Sequence, residues 1–122
     1  MKNYDLEVKH RFGNTEAYKE YTKKTADYTN DKKQYVNNGL MSIFEKFAEC
    51  MNKEHTPDSD EVQGLVEQLK SYITDNYYTC TNKILSGLGQ MYVADERFKN
   101  NIDSYAIGTA RFVLKAIEKY CN

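Results

Sequence analysis

The organisation of the chain is clearest in residues 77–98, which read YYTCTNKILSGLGQMYVADERF. Within this stretch the apolar residues recur three and four positions apart, at Ile84, Leu85, Leu88, Met91 and Tyr92. This spacing places them on one face of an α-helix and predicts a helix over residues 82–93. The apolar face of that helix must be covered by other parts of the chain.

Two glycines, Gly87 and Gly89, interrupt the predicted helix. Each costs about 0.5–1 kcal/mol in a helix interior, so they predict a place where the backbone comes close to a second helix or to a ligand. Asp95 and Glu96 then suit the start of another helical turn, because a capping side chain and a negative charge both stabilise a helix N-terminus. That turn would carry Phe98 inward.

Further helices are predicted on both sides of this corner. A long helix over residues 30–52 has an apolar face made of Val36, Leu40, Ile43, Phe44, Phe47 and Met51. It ends in the loop before Pro57, because proline disfavours helix in the residue that precedes it. The next helix is capped within residues 58–59, has two acids in its first turn, and extends to about residue 77.

The last predicted helix is capped by Asp103 or Ser104. Its apolar residues recur at spacings of three and four: Ala106, Ala110, Val113, Ile117 and Tyr120. Nowhere does a period of two persist long enough to indicate a strand. The sequence therefore predicts an all-α domain of about five helices.

Composition and charge exclude several classes of protein. The chain has 122 residues, a net charge of -1 and 40% hydrophobic residues, with a mean hydropathy of -0.80. It has no apolar run near the ~18 residues that a membrane span needs, and no apolar segment typical of a signal peptide. We therefore expect a cytoplasmic protein that does not enter a membrane. Its mixed charge gives no long-range attraction to nucleic acid, so we expect no DNA binding by this chain alone.

The cysteines and histidines do not form a recognisable catalytic or metal site. Cys50, Cys80 and Cys121 are widely spaced, which favours free thiols over disulfides or a zinc site. His10 and His55 lie in polar segments, so neither suits an axial haem ligand or a base beside a nucleophile. The sequence thus predicts no cofactor, no metal and no enzyme activity.

Ligand binding is the function class that remains, and the feature of the sequence that best indicates it is the high tyrosine content. Eleven tyrosines occur without a tryptophan. Each can be an ordinary core residue, but a tyrosine hydroxyl needs a partner when it is buried. A group of tyrosines is thus also suited to an amphipathic pocket, and the candidates are Tyr72, Tyr77, Tyr78, Tyr92 and Tyr105. Cys80 is either a small buried residue or, if it lies in the first turn of the central helix, a thiol whose pKa the amide dipoles lower.

Two separated motifs resemble the TipAS antibiotic-recognition domain, which is usually the C-terminal effector half of MerR-family transcriptional activators. The first is RFGNTEAY at residues 11–18, with KTADYT at 24–29. The second is GLGQMYVADERF at residues 87–98, continued by NID at 101–103 and AIG at 106–108. The family usually has tryptophan where Phe12 stands. The resemblance spans nearly the whole chain and implies a single globin-like domain, residues 1–122, of five to seven helices without haem.

The resemblance also implies a function. It implies a domain that binds bulky, largely apolar antibiotics of the thiopeptide or multidrug type, either as the sensor of a MerR-type activator or as a stand-alone protein that sequesters a drug. A helical protein-interaction module without a ligand pocket is the alternative. We predict the ligand contacts Tyr77, Tyr78, Cys80, Gly87, Met91, Tyr92 and Tyr105. Thiopeptide-capturing members carry two cysteines in this region, of which one matches Cys80 while the other falls at Gly87.

The N-terminal segment has a distinct predicted role. Residues 1–29 contain mixed charge and tyrosines but few aliphatic side chains, so they bury too little apolar area to offset the entropy of ordering. We predict that they form a mobile lid over the helical core of residues 30–122. The lid residues that would close over an apolar ligand are Leu6, Phe12, Tyr18 and Tyr21.

Overall fold

The computed structural model describes residues 22–121, which contain five helices with defined bounds. These are α1 (Asn30–Asn52), α2 (Asp60–Asn76), α3 (Asn82–Ala94), α4 (Glu96–Asp103) and α5 (Thr109–Cys121). No strand occurs among these residues. The all-α prediction is confirmed, and the predicted bounds of α1, α2 and α3 agree with the observed ones to within two residues.

Four helices begin at a side-chain cap, and two of these caps, within residues 58–59 and at Asp95, were predicted from the sequence. Hydroxyl oxygens of Thr29, Ser59 and Thr81 each accept a hydrogen bond from the amide three residues further along, in α1, α2 and α3 respectively. Asp95 serves as the N-cap of α4, and its Oδ1 accepts from the Arg97 amide at 2.9 Å. Each cap satisfies an amide that the helix itself leaves without a partner.

The start of α5 differs from the prediction. The helix begins at Thr109 rather than directly after residue 103 or 104, so Ala106 lies in the preceding turn. Gly108 has a φ of +94°, a left-handed conformation that interrupts a right-handed helix. Asp103 still caps the helix from a distance, because its Oδ1 accepts a hydrogen bond from the Ala110 amide at 2.8 Å. Ser104 instead donates to the carbonyl of Asn101 at 2.6 Å.

The core is formed where α3 packs against α5, with α1 and α2 covering the other side. Gly89 faces α5, and a Cβ at that position would lie 3.1 Å from Ile117 and 3.2 Å from Leu114. The predicted close approach of a second helix is therefore found at Gly89. A Cβ at Gly87 would come within 4 Å of none of the described residues.

Residues 22–29 run against the C-terminal end of α2. Lys24 Nζ donates a hydrogen bond to the Thr74 carbonyl at 2.7 Å, and the Tyr28 hydroxyl donates to the Asn76 carbonyl at 2.9 Å. Both acceptors belong to the last turn of α2, where carbonyls have no partner within the helix. This part of the predicted lid is thus held against the helical core.

Candidate functional site

An apolar groove of about 330 Å³ lies between α1 and α4. Its described lining consists of Asn37, Leu40, Met41, Phe44, Tyr92, Arg97, Phe98, Asn101, Ile102 and Ser104. We call this cavity the α1–α4 groove. Its volume falls at the lower end of the range of about 300–1,000 Å³ that is usual for small-molecule sites.

The floor of the groove is aromatic. The rings of Phe44 and Tyr92 meet edge to face with centroids 5.2 Å apart, and Tyr92 and Phe98 lie 5.9 Å apart in a tilted arrangement. Phe44 and Tyr92 are buried in the core, so their rings are held by packing on several sides. A rigid floor of aromatic side chains offers apolar contact to a planar ligand with little loss of side-chain entropy.

The rim of the groove is polar. Asn37 comes from α1, Arg97 and Asn101 come from α4, and Ser104 follows α4. The Arg97 guanidinium is held by Asp95, with Nη2 3.0 Å from Oδ2 and Nε 3.3 Å from Oδ1. A few polar groups around an apolar floor are the usual composition of a ligand site, since they orient what the floor binds.

A larger opening of about 740 Å³ lies between the start of α3 and the end of α5. Its lining is mostly polar and charged, and includes Lys83, Lys115, Lys119, Asp58 and Glu118. Such a surface offers little apolar area to a ligand and is well solvated. The smaller α1–α4 groove is therefore the better candidate for a site that binds apolar molecules.

The structure places one of the seven predicted ligand residues, Tyr92, in the lining of the groove. The side chains of Tyr77, Tyr78, Cys80 and Met91 are buried in the core, at most 3% exposed. Tyr105 follows the rim residue Ser104 and is 38% exposed. Gly87 is half-buried on α3, outside the described lining. As ligand contacts these residues stay a prediction.

Several lining residues were missed by sequence reasoning, chiefly Phe44, Met41 and Phe98. Phe44 was assigned to the core, which is correct, but it also forms part of the floor. A signal was present at Met41, because it is an apolar residue at the edge of the buried face of α1, and methionine adapts readily to different ligands. Phe98 was expected to point inward, and it packs against the core from α4.

Tyr92 lines the groove and also lies beside the core tyrosines Tyr77 and Tyr78. Its hydroxyl is buried and has no hydrogen-bond partner among residues 22–121. Burial raises the pKa of Tyr92 well above its ordinary value, and neighbouring Tyr78, Cys80 and Tyr77 raise it further. The hydroxyl is therefore neutral at physiological pH. The structure thus brings together four of the predicted residues in one cluster, with Tyr92 as the member that reaches the groove.

Of the two alternatives for Cys80, the structure supports the small buried residue, and helix dipoles do not lower the pKa of its thiol. Cys80 precedes the N-cap Thr81 and so lies outside the first turn of α3. Burial raises the pKa of its thiol to about 12, although nearby Lys70 acts in the opposite direction. The thiol donates to the Thr81 carbonyl at 3.8 Å. At neutral pH Cys80 is a protonated, buried side chain.

We expect iodoacetamide at pH 7.5 to modify the half-buried Cys50 and Cys121 before it modifies Cys80 in the folded protein. The thiolate is the reacting form, and a pKa of about 12 leaves very little of it. Peptide mapping by mass spectrometry over time measures the three rates. Rapid labelling of Cys80 at the rate of Cys121 would contradict this account, and labelling in urea is the control for intrinsic reactivity.

The raised pKa of Cys80 also predicts how the stability of the fold depends on pH. Because the pKa of Cys80 in the folded state lies above the ordinary value of 9.0, its contribution to stability is complete below about pH 9 and is lost as the pH rises towards 12. Urea unfolding at pH 8 and at pH 10.5 measures this effect in the wild type and in Cys80→Ala. Between these two pH values the free energy of unfolding should fall less in the variant than in the wild type.

The four predicted lid residues, Leu6, Phe12, Tyr18 and Tyr21, lie outside the described residues. The lid therefore stays a prediction. Within the described part of the chain, no three His, Cys, Asp or Glu side chains converge as a metal site would require. In residues 22–121 there is also no helix with the length and apolar character to cross a membrane.

Comparison with known proteins gives consistent matches. The family model of the TipAS antibiotic-recognition domain matches residues 4–120. The chain is 35% identical over 114 residues to the HTH-type transcriptional activator TipA of Streptomyces coelicolor, covering 93% of this chain and 45% of TipA. It is 35% identical over 122 residues to the HTH-type transcriptional activator mta of Bacillus subtilis, covering 100% of this chain and 46% of mta. The chain thus spans a little under half the length of these two relatives.

A solved structure agrees with the sequence matches. TipAS from a thiopeptide antibiotic multidrug resistance system of Streptomyces lividans, in complex with nosiheptide, superposes with a TM-score of 0.83 at 33% identity. The match covers 98% of this chain and 84% of that one. The globin-like helical arrangement expected from the sequence is consistent with this fold.

Proposed function

Because this chain belongs to the TipAS antibiotic-recognition domain family, we propose that it binds a bulky, largely apolar antibiotic in the α1–α4 groove. The observation that carries this proposal is the groove itself, with an aromatic floor and a polar rim. The solved relative holds nosiheptide, which supports a thiopeptide-like ligand for this chain as well. The alternative function, a helical protein-interaction module without a ligand pocket, does not require such a groove.

The chemistry of the groove favours reversible binding. An apolar ligand gains about 25 cal/mol for each Å² of apolar surface that leaves water, so a groove of this size supplies part of the contact surface of a large antibiotic. The thiol of Cys80 is buried and protonated, which makes it a poor nucleophile for covalent capture. The site holds no arrangement of a nucleophile beside a base among the described residues that line it, so the proposal includes no catalysis.

In the cell, we propose that the domain senses a drug for a MerR-type activator in the cytoplasm. TipA and mta are HTH-type activators more than twice as long as this chain, and the DNA-binding half in such a protein would lie outside the matched region. The net charge of -1 agrees with a domain that does not itself attract DNA. Sequestration of the drug by the domain alone would use the same groove.

The test is binding of nosiheptide to the wild type and to two tryptophan variants of α4. Asn101 lines the groove whereas Asn100, its neighbour of the same type, does not, and both side chains are exposed. Asn101→Trp should weaken binding by about tenfold or more, equivalent to ~1.4 kcal/mol, because the indole occupies the space of the ligand. Asn100→Trp should bind as the wild type does. Isothermal titration calorimetry measures both.

Thermal unfolding provides an independent readout. Ligand at a thousand times its dissociation constant should stabilise the wild type by about 4 kcal/mol, whereas a helical interaction module would not respond. Equal loss of affinity in Asn100→Trp and Asn101→Trp would place the ligand elsewhere on α4. Unchanged affinity in Asn101→Trp would remove the groove from consideration.

A further inference from the structure

The hydroxyl of Tyr92 differs from those of two other tyrosines in the structure. Tyr28 and Tyr72 each donate a hydrogen bond to a backbone carbonyl, at 2.9 and 2.6 Å respectively. Both are only half-buried, whereas Tyr92 is 0% exposed. Yet the Tyr92 hydroxyl has no hydrogen-bond partner among residues 22–121. The more deeply buried hydroxyl is thus the one that the described chain leaves unsatisfied.

An unsatisfied buried hydroxyl is uncommon in native proteins, because burial without a partner costs the free energy of desolvation. Tyr92 also lines the α1–α4 groove, where its ring is part of the aromatic floor. The floor of the groove therefore contains a side chain whose polar atom gains a hydrogen bond when a ligand supplies the partner.

The surroundings of this hydroxyl favour an uncharged partner. Tyr78, Cys80 and Tyr77 are close enough to influence the pKa of Tyr92, and all three are at most 2% exposed. Burial raises the pKa of Tyr92 well above its ordinary value, so the hydroxyl keeps its proton at neutral pH and can donate it. An anion is costly to move from water into such a buried place, whereas a carbonyl oxygen or an aromatic ring nitrogen accepts a hydrogen bond without carrying charge.

From this arrangement we propose that Tyr92 determines ligand specificity, by donating a hydrogen bond from its hydroxyl to a carbonyl oxygen or ring nitrogen of an otherwise apolar aromatic antibiotic. This inference rests on the proposed function, since it concerns the same groove. The ligand approaches from the groove, because buried core side chains surround the hydroxyl elsewhere. Since the hydroxyl is closed to solvent in the free protein, a ring at the floor has to shift as the acceptor enters, and Phe98 is the partly buried one.

The test uses two planar probes with the same ring system. These are 9-fluorenone, which has a carbonyl group, and fluorene, which lacks it. Tyr92→Phe removes only the hydroxyl, and it should weaken binding of fluorenone about fivefold, the effect of losing one neutral hydrogen bond. It should change the dissociation constant of fluorene by less than twofold, because the aromatic ring is kept. Equilibrium dialysis measures both constants.

Two further tyrosine variants complete the test. Thermal unfolding of the free protein should show no loss of melting temperature in Tyr92→Phe, since the hydroxyl has no described partner to lose. Tyr72→Phe should lower the melting temperature, because it deletes the hydrogen bond to the Val36 carbonyl. If Tyr92→Phe melts as low as Tyr72→Phe, the Tyr92 hydroxyl has a structural partner and the inference is overturned. Tyr35→Phe changes a tyrosine that is 74% exposed and outside the described lining, so it should leave both dissociation constants unchanged.

The outcomes separate the inference from the proposed function. If Asn101→Trp removes binding of both probes but Tyr92→Phe affects them equally or not at all, only the specificity assignment fails. If Asn101→Trp leaves both probes bound, the groove is not the site and the proposed function fails with it. If the wild type binds neither probe, the groove does not accept planar apolar molecules, and both fail together.

Discussion

Replacement of Phe44 by alanine is expected to lower the free energy of unfolding by about 3–5 kcal/mol, the usual cost of deleting a buried phenylalanine. Phe44 is 1% exposed, and its ring meets that of Tyr92 edge to face. Its removal leaves a cavity that joins the groove, and Tyr92 loses this ring contact. Urea unfolding followed by circular dichroism measures the change.

The matched control for Phe44 is on the same helix. Tyr35 is 74% exposed, so Tyr35→Ala removes an aromatic ring of similar size with little loss of burial. We expect it to change stability by less than about 0.5 kcal/mol, as surface substitutions usually do. A loss below about 1 kcal/mol in Phe44→Ala would mean that the floor of the groove is not packed into the core. Such a result would remove the rigid aromatic surface on which the proposed binding depends.

Gly39→Ala is expected to destabilise the protein by about 1–3 kcal/mol through overpacking, partly offset by the better helix propensity of alanine. Gly39 lies where α1 meets α2, and a Cβ there would be 2.8 Å from Cζ of Tyr72 and closer still to its hydroxyl. That hydroxyl donates a hydrogen bond to the Val36 carbonyl at 2.6 Å. The ring therefore has to move, and the hydrogen bond is lost.

A double-mutant comparison separates the two contributions at Gly39. In a Tyr72→Leu background the obstructing ring atoms are absent, so Gly39→Ala should there stabilise the helix by about 0.5–1 kcal/mol. Gly64→Ala is the control in α2, because a Cβ at Gly64 would come within 4 Å of no described atom. It should also be stabilising by a similar amount. A destabilising Gly39→Ala in both backgrounds would show that Tyr72 is not the cause.

Gly39→Ala and Phe44→Ala both change α1, on two different faces of the helix. Through Gly39, α1 is held close to α2, and through Phe44 it forms one wall of the groove. The distance between α1 and α4 therefore depends on packing that lies outside the groove. For this reason we expect the shape of the groove to be sensitive to core substitutions, and binding experiments on such variants need a stability measurement beside them.

Local chemistry was sufficient to predict the helices. The caps at Thr29, Ser59, Thr81 and Asp95 depend on side chains that bond to amides only two or three residues away. The exception is Asp103, which caps α5 from seven residues away across a turn with a left-handed glycine. A helix start that depends on such a turn is not visible in the spacing of apolar residues.

The position of the α1–α4 groove could not be predicted in the same way. The glycines and tyrosines of residues 77–98 led to ligand contacts being predicted mainly in that corner, and those contacts stay a prediction. Tyr77, Tyr78 and Cys80 turn into the core after α2 ends, where burial excludes water from their polar groups. Of the seven predicted ligand contacts, Tyr92 alone is among the described residues that line the groove.

The residue types and their spacing thus determined the helical class and the family, since each depends on interactions between close neighbours or on recognisable motifs. Tertiary packing decided where the groove lies and what reaches it. Phe44 and Tyr92 are 48 positions apart along the chain, yet their rings meet edge to face in the floor. Such a contact depends on how α1 and α3 lie relative to each other, and that arrangement is set by side-chain packing between helices that are distant in sequence.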